Sequence, residues 1–381
     1  MPSYRAVAIA DSTRERPYGH GIHKAWIGLP DVDMVGLADP VEDARIEHGA
    51  EVGAQTLYAD YREMLEKEQP DLVSVCPHFF DLHGQWLLDS IEAGAKGIYV
   101  EKPLTASLAE ADAVLEAADR RDVKIAVAHQ NRYRPSIRHA VEMVRAGEIG
   151  DLRWIRAQGK CDVRGATHDL MVLGTHLLDA IRLFAGNPLW ATGHMLQGDR
   201  DVTPDDVFDG PEGLGKMAGD SLIGYFAFDS GAVATFESFA RKERPSGTPW
   251  FGFELWGSDG GISIRSAGRD LYRYPAQAPI PGDPSLAWEA IDAPAVTFVD
   301  GTPADPASWT TAGNQQAAAD VIRCIENGGE PESSARQARA TLEMVMAILE
   351  GQRTKARVTF PLETRENPLA VWQSETAGAP A

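Results

Sequence analysis

Glu101-Lys102-Pro103 sets a carboxylate and an amine side by side, followed by a proline that cannot donate to a sheet. The apolar run Gly97-Ile98-Tyr99-Val100 precedes it and reads as a short buried strand. The proline forces an extended or turning exit before a helical stretch that starts near Ser107. A lysine and a carboxylate are thereby held at the carboxyl end of a parallel strand, where open α/β sheets place their ligands. A plain strand-to-helix turn with two surface charges would look the same in isolation, so the surroundings decide.

A dinucleotide fold needs a glycine-rich first turn, where a pyrophosphate can approach backbone N–H groups at a helix N-terminus. The usual G-x-G-x-x-G is missing. The first apolar run, Ala6–Ala10, ends at Asp11-Ser12-Thr13, and glycines come only at Gly19 and Gly21, beyond the polar Arg14, Glu15 and Arg16. On this loop alone two readings stay open. One is a rebuilt phosphate loop with the Ser12 and Thr13 hydroxyls, Arg14 and the Gly19–Gly21 amides as donors. The other is a domain that has lost its cofactor. Asp39 favours the first, because it ends the second strand 20 residues beyond Gly19, where a carboxylate accepts from the adenosine ribose hydroxyls. An acid there repels a 2′-phosphate, so NAD is expected over NADP.

Alternating elements must position these residues. Val32–Ala38, Leu72–Cys76, Ile98–Val100 and Lys124–Ala128 read as strands, and His20–Gly28, Asp60–Lys67, His83–Ala93 and Leu108–Arg120 as helices. Such alternation implies right-handed βαβ crossovers and a parallel, doubly wound sheet. Beyond about residue 150 the pattern changes to strands over Leu152–Cys161, Trp190–Gln197, Leu222–Asp229, Val233–Ala240, Phe251–Gly257 and Gly261–Arg265. Turns at Asp229-Ser230-Gly231 and Ser258-Asp259-Gly260 predict antiparallel hairpins. Helices are expected over His168–Phe184, Asn314–Asn327 and Ala335–Gly351, and long loops over Asp199–Asp220 and Pro275–Ser308. The fold class is therefore α/β: a Rossmann-type parallel sheet over residues 1–128, then an α+β domain with a large open, mostly antiparallel sheet over 129–365 and a tail over 366–381.

Of 381 residues, 44 % are hydrophobic and 24 % charged, as in ordinary globular proteins, and the formal net charge is −20. That excess of acid argues against nucleic acid or an anionic membrane as partner. Cys76, Cys161 and Cys324 are scattered and read as reduced thiols, and neither a signal peptide nor a membrane-spanning run is seen, so a cytoplasmic location is expected.

Further motifs run in order along the chain: Glu92-Ala93-Gly94, Gln130-Asn131-Arg132-Tyr133 with Pro135, Gly147-Glu148-Ile149-Gly150, Gly174-Thr175-His176-Leu177-Leu178-Asp179 and Phe360-Pro361-Leu362. Together with Glu101-Lys102-Pro103 they make the chain, over about residues 5 to 362, resemble the glucose–fructose oxidoreductase, inositol dehydrogenase and MocA (Gfo/Idh/MocA) group. The resemblance implies a homodimer or homotetramer and NAD(P)-linked oxidation or reduction at a carbinol of a sugar, polyol or cyclitol. It implies that Lys102 polarises the reacting oxygen and that His176 acts as acid or base. Glu101, Pro103 and Gln130 would line the nicotinamide end, and Arg132, Lys160 and Asp179 would lie near the substrate. Cys76, Pro77 and His78, at the end of the third strand, complete the expected cofactor set of Asp11, Ser12, Thr13, Arg14, Gly19, Gly21, Asp39, Glu101, Lys102 and Gln130.

Physical chemistry agrees with those roles. Loss of a hydride from a carbinol carbon requires loss of the hydroxyl proton to a base within hydrogen-bond reach. His176 titrates near neutrality and can accept it, and Asp179, one helical turn on, can orient the ring.

One position departs from the family pattern. Many members carry an aspartate four residues before this histidine, where the chain has Val172, which cannot relay a proton. Asp169 is a displaced relay or a substrate contact, though two turns, roughly 10 Å, from His176. Either His176 works without the aspartate or the reaction differs from simple polyol oxidation. Two alternatives follow: a redox-neutral lyase or glycosidase that oxidises its sugar transiently, and a non-catalytic dinucleotide-binding regulator. No metal site is expected, since seven residues separate His168 from His176. Trp250, Phe251, Phe253 and Trp256 suit either stacking on a sugar ring or core and oligomer packing.

Overall fold

The computed structural model describes residues 4–240, 251–266, 268–276 and 285–377. They form two compact units. The first comprises residues up to Tyr133, the tripeptide Pro211–Gly213 and Ala295–Arg339.

In the first unit six parallel strands lie in the order β3-β2-β1-β4-β5-β6. They are β1 (Tyr4–Ile9), β2 (Val32–Ala38), β3 (Thr56–Tyr58), β4 (Leu72–Val75), β5 (Gly97–Val100) and β6 (Lys124–Val127). β4 and β5 are buried throughout, as continuous apolar runs in a sheet covered on both faces must be. The strand order reverses between β1 and β4, which opens a ligand crevice at the carboxyl ends of these strands. The helices α1 (Glu42–Val52), α2 (Tyr61–Glu68), α3 (His83–Glu92) and α4 (Leu108–Arg121) form the crossovers. Asp60 caps α2 by accepting from the Arg62 N–H, and Ser107 caps α4 by accepting from the Glu110 N–H.

The helix Trp309–Asn327 returns to this unit and lays Ala317, Ala318 and Val321 into the same core as Tyr99 and Ala126. Gly97 permits the approach, since a Cβ there would stand 2.5 Å from Val321 Cγ1. The expected division at residue 128 therefore misses a returning segment, because the sheet's apolar face is completed by residues far along the chain.

The second unit is built on a ten-stranded sheet. β7 (Leu152–Gln158) lies inside it, between antiparallel Gly252–Gly257 and parallel Val233–Phe239. Both expected hairpins form, pairing Ser221–Phe228 with Val233–Phe239 and Gly252–Gly257 with Gly261–Arg265. The sheet is thus mostly antiparallel, with one parallel pair. Phe253 and Trp256 are buried, against Phe184 and against Tyr274 and Trp288 respectively, so the core reading holds for them. Trp250 lies outside the described residues. The expected tail contains a helix, Pro368–Ala377, and the expected loop from Pro275 contains a short strand, Glu289–Ile291.

Two helices differ from expectation. The stretch His20–Gly28 holds only a single 3-10 turn, Ile22–Lys24. Gly19, Gly21 and Gly28 take left-handed conformations, with φ of 50°, 76° and 77°, which interrupt an α-helical ladder. The expected helix His168–Phe184 begins as Ala166–Asp169, passes through a π-helical segment at Leu170–Gly174, and resumes as Thr175–Ala185. Such segments add one residue to a turn and cluster at functional sites.

Candidate active site

Glu101, at the end of β5, organises the loop that follows β1. Its Oε2 accepts from the His20 N–H at 2.9 Å, and His20 Nδ1 lies 3.0 Å from both carboxylate oxygens. Gly19 must be glycine here, because a Cβ would collide with the Glu101 carboxylate and stand 2.6 Å from the Cys76 carbonyl oxygen. Burial alone would raise the Glu101 pKa. The charge and hydrogen bond of His20, with the charge of Lys102, outweigh it and hold the group below the ordinary carboxylate range.

These bonds correct the sequence expectation about the phosphate loop. The Gly19 N–H donates to the Arg16 carbonyl, the His20 N–H to Glu101 and the Gly21 N–H to the Tyr18 carbonyl. The Gly19–Gly21 amides are already used within the chain, and no long helix starts there to align a dipole. Arg14 is likewise engaged, with its guanidinium 3.8 Å over the Phe79 ring and Nη1 donating to both Asp81 oxygens at 3.0 Å. Asp11 accepts from the Thr13 N–H and hydroxyl.

Lys102 is fully buried. Its Nζ lies 3.1 Å from His78 Nε2, and His78 Nδ1 lies 2.9 Å from Glu212 Oε2, a contact bent away from in-line hydrogen-bond geometry. Burial and the Lys102 charge push the His78 pKa down, against the pull of Glu212. His83 sits between the turns after β4 and β5, its two ring nitrogens 2.8 Å from the Pro77 carbonyl and 2.9 Å from the Pro103 carbonyl. Cys76 is buried beneath, and burial raises its thiol pKa, so it is packing rather than a reactive group.

Asn314, on the returning helix, joins these elements. Its Oδ1 accepts from the Tyr99 hydroxyl and from Gln130 Nε2, and its Nδ2 donates to the His20 carbonyl. Sequence reasoning missed it, although a polar residue on the apolar face of a helix is a detectable signal. Arg132 is buried on the 3-10 turn Gln130–Tyr133 and donates to Gln337 at 3.4 Å.

Asp39 is fully buried and takes four donors: the Ser12 and Val41 N–H groups on Oδ1, and the Ser12 and Tyr18 hydroxyls on Oδ2. It therefore ties the β1 loop to the end of β2. Beside it a cavity of about 350 Å³ is lined by Ala10, Pro40, Tyr61, Arg62, Leu82 and Trp86. Its walls at the carboxyl ends of the strands are mixed, apolar at Tyr61, Leu82 and Trp86 and polar at Asp11, Asp60 and Gln85, so the residues present fit the base and ribose of a dinucleotide at this end.

In the second unit Asp169 is buried and accepts from the Ser238 hydroxyl at 2.7 Å and from the Cys161 and Lys160 N–H groups. Burial raises its pKa. It braces the turn carrying Lys160, whose Nζ is 3.7 Å from Asp162. Val172 is buried, His176 is half-buried on the helix Thr175–Ala185, and Asp179, fully buried, accepts from Thr341 Oγ1 at 3.1 Å.

Comparison with known proteins adds a second line. Residues 18–129 match the model of the oxidoreductase family, NAD-binding Rossmann fold, and residues 137–263 match that of the GFO/IDH/MocA C-terminal domain. D-apiose dehydrogenase of Paraburkholderia graminis is 26 % identical over 94 % of this chain and 88 % of its own length. The scyllo-inositol 2-dehydrogenase (NAD(+)) of Bacillus subtilis is 28 % identical over 62 % of this chain and 67 % of its own. The structure of levoglucosan dehydrogenase in complex with NADH shares the fold, with a TM-score of 0.74, 17 % identity, and coverage of 94 % of this chain and 100 % of that one.

Proposed function

Because the chain belongs to the Gfo/Idh/MocA family of oxidoreductases, with an NAD-binding Rossmann fold, we propose that it moves a hydride between NAD and a carbinol or ketone carbon of a sugar, polyol or cyclitol. The observation that carries this reading is the buried Lys102 amine at the carboxyl end of β5, beside Glu101 and His78. Nicotinamide, when bound, supplies the hydride acceptor. Lys102 polarises the substrate oxygen, and His176 accepts or returns its proton. Asp11, Ser12, Thr13, Arg14, Cys76, Pro77, Glu101 and Gln130 belong to the cofactor end, and Arg132, Lys160 and Asp179 to the substrate end. Asp169 acts as the brace of the Lys160 turn. The names of the relatives support a carbohydrate or cyclitol substrate. A homo-oligomer belongs to the same proposal, supported by Leu189, Ile223 and Phe239, exposed on strands of the wide sheet. Among the described residues no helix is long and apolar enough to cross a membrane.

The test is a panel containing D-apiose, scyllo-inositol and levoglucosan, each incubated with NAD and with NADP and followed by absorbance of the reduced cofactor and by product mass. NADH formation with an oxidised product supports the proposal. A changed product without net NADH would replace it by redox-neutral chemistry, and NAD binding without any product would replace it by a regulator.

A further inference from the structure

We propose that His78 and Glu212 are positioning residues that fix the direction in which Lys102 presents its amine. The inference rests on Lys102 being the oxygen-polarising group.

Three observations carry it. The first is the path of the chain. Glu212 lies 110 residues beyond Lys102 in sequence, yet Pro211–Gly213 is part of the first unit. The backbone bends sharply to deliver it, since Glu212 has φ 57°, in the left-handed region that residues with a Cβ rarely occupy. Gly213 follows at φ 72°, where a Cβ would collide with Asp81. Asp81 is itself held by Arg14. Observed backbone strain at a side chain that keeps only 12 % of its exposure marks a position whose placement is required.

The second is the run of neighbours Glu212–His78–Lys102, with separations of 2.9 and 3.1 Å. Glu212 Oε2 and His78 Nδ1 are both shielded from solvent. Even off the in-line direction, a lone pair on Nδ1 2.9 Å from the carboxylate is repelled by its charge, so Nδ1 carries the proton. Nε2 then holds a lone pair and can only accept. An ammonium that donates one N–H to that lone pair must point its other two N–H groups elsewhere. The pair thus directs the remaining donors of Lys102 away from His78.

The third is the electrostatic surrounding of the ring. The charged and titratable groups that face it are Lys102 and Glu101 from the end of β5, His20 from the β1 loop (ring centroids 5.6 Å apart) and Glu212. Burial and the Lys102 charge keep His78 neutral at neutral pH, the state the tautomer argument requires.

Glu212→Gln tests the arrangement. The carboxamide can donate to Nδ1, which favours the Nε2–H tautomer and turns the acceptor facing Lys102 into a donor. Nitrogen-15 NMR of histidine-labelled protein should show His78 with its proton on Nδ1 in the native chain and shifted toward Nε2 in Glu212→Gln. With the panel sugar that turns over, Glu212→Gln should lower kcat about tenfold or more with little change in KM, and should move the acidic limb of the pH–rate profile. His78→Gln, whose carbonyl can accept from the amine, should retain more turnover than His78→Leu. An Nε2–H tautomer in the native protein overturns the proposal without any variant being made. Native kcat and an unmoved profile in Glu212→Gln also overturn it, provided Lys102→Ala is inactive. If Lys102→Ala keeps full turnover, the reading of Lys102 itself fails, a result distinct from either.

Discussion

At the scale of single residues, the two groups expected to handle the proton differ in how they are held. Lys102 is fixed by burial and by His78, and His176 is half-buried on its helix. Lys102→Ala and His176→Ala should each lower turnover by about a hundredfold or more while NAD affinity changes much less, as steady-state kinetics and cofactor titration would show. Asp39 behaves differently, because its carboxylate serves four donors of its own chain. Asp39→Ala should strand the Ser12 and Tyr18 hydroxyls and cost about 1–3 kcal/mol in chemical denaturation. If Asp39 also selects NAD over NADP, the same variant should narrow the ratio of their dissociation constants. The placement of Lys102 and Asp39 at the carboxyl ends of buried strands was legible in the sequence, since each follows an apolar run. Their partners Tyr18, Asn314 and Glu212 were not, because tertiary folding brings them in from a polar loop, a distant helix and a long acidic loop.

At the scale of elements, strands were read more faithfully than the segments around glycines. Buried apolar runs have few alternatives, so β4, β5 and β6 appear within a residue or two of expectation. The stretch after β1 had helical spacing, but Gly19, Gly21 and the buried Glu101 impose a wrapped loop instead. Glu101 is the pin of that loop. Because its pKa is lowered on folding, it contributes stability that is present above the ordinary glutamate value near 4.5 and is lost as pH falls below it. Glu101→Gln should therefore lower the melting temperature at neutral pH and flatten its decline on acidification; an unchanged melting profile would contradict the pin. The π-helical segment Leu170–Gly174 was invisible to periodicity, which assumes an unbroken helix. It shifts the register between Val172 and His176, so counting back four residues no longer identifies the neighbour one turn away.

At the scale of the whole molecule, acid sensitivity has a second source far from the Glu101 loop. His23 is buried, and desolvation lowers its pKa to about 4, while Glu51, His48 and Lys24 crowd its exposed edge. The unfolded chain binds a proton at this histidine between about 6.5 and about 4 and the native one does not, so stability falls as pH drops through that window. The loss should reach about 3 kcal/mol, and His23→Gln should remove most of that slope in urea titrations at stepped pH. The fold class was legible from the switch in hydrophobic period near residue 150. The boundary was not, because nothing local announces that the helix Trp309–Asn327 returns to the first unit.

That return has a consequence for how the protein is made. Synthesis proceeds from the N-terminus, and domains generally fold in the order in which they emerge. Here the Rossmann sheet must wait: Ala317, Ala318 and Val321 of its core, and Asn314, which bonds Tyr99 and Gln130, are delivered only after most of the other unit has been translated. Until then the face around Tyr99 and Ala126 has no cover. A nascent chain stalled near residue 300 should therefore be open to protease in its first 130 residues, and one extended past residue 339 should be resistant.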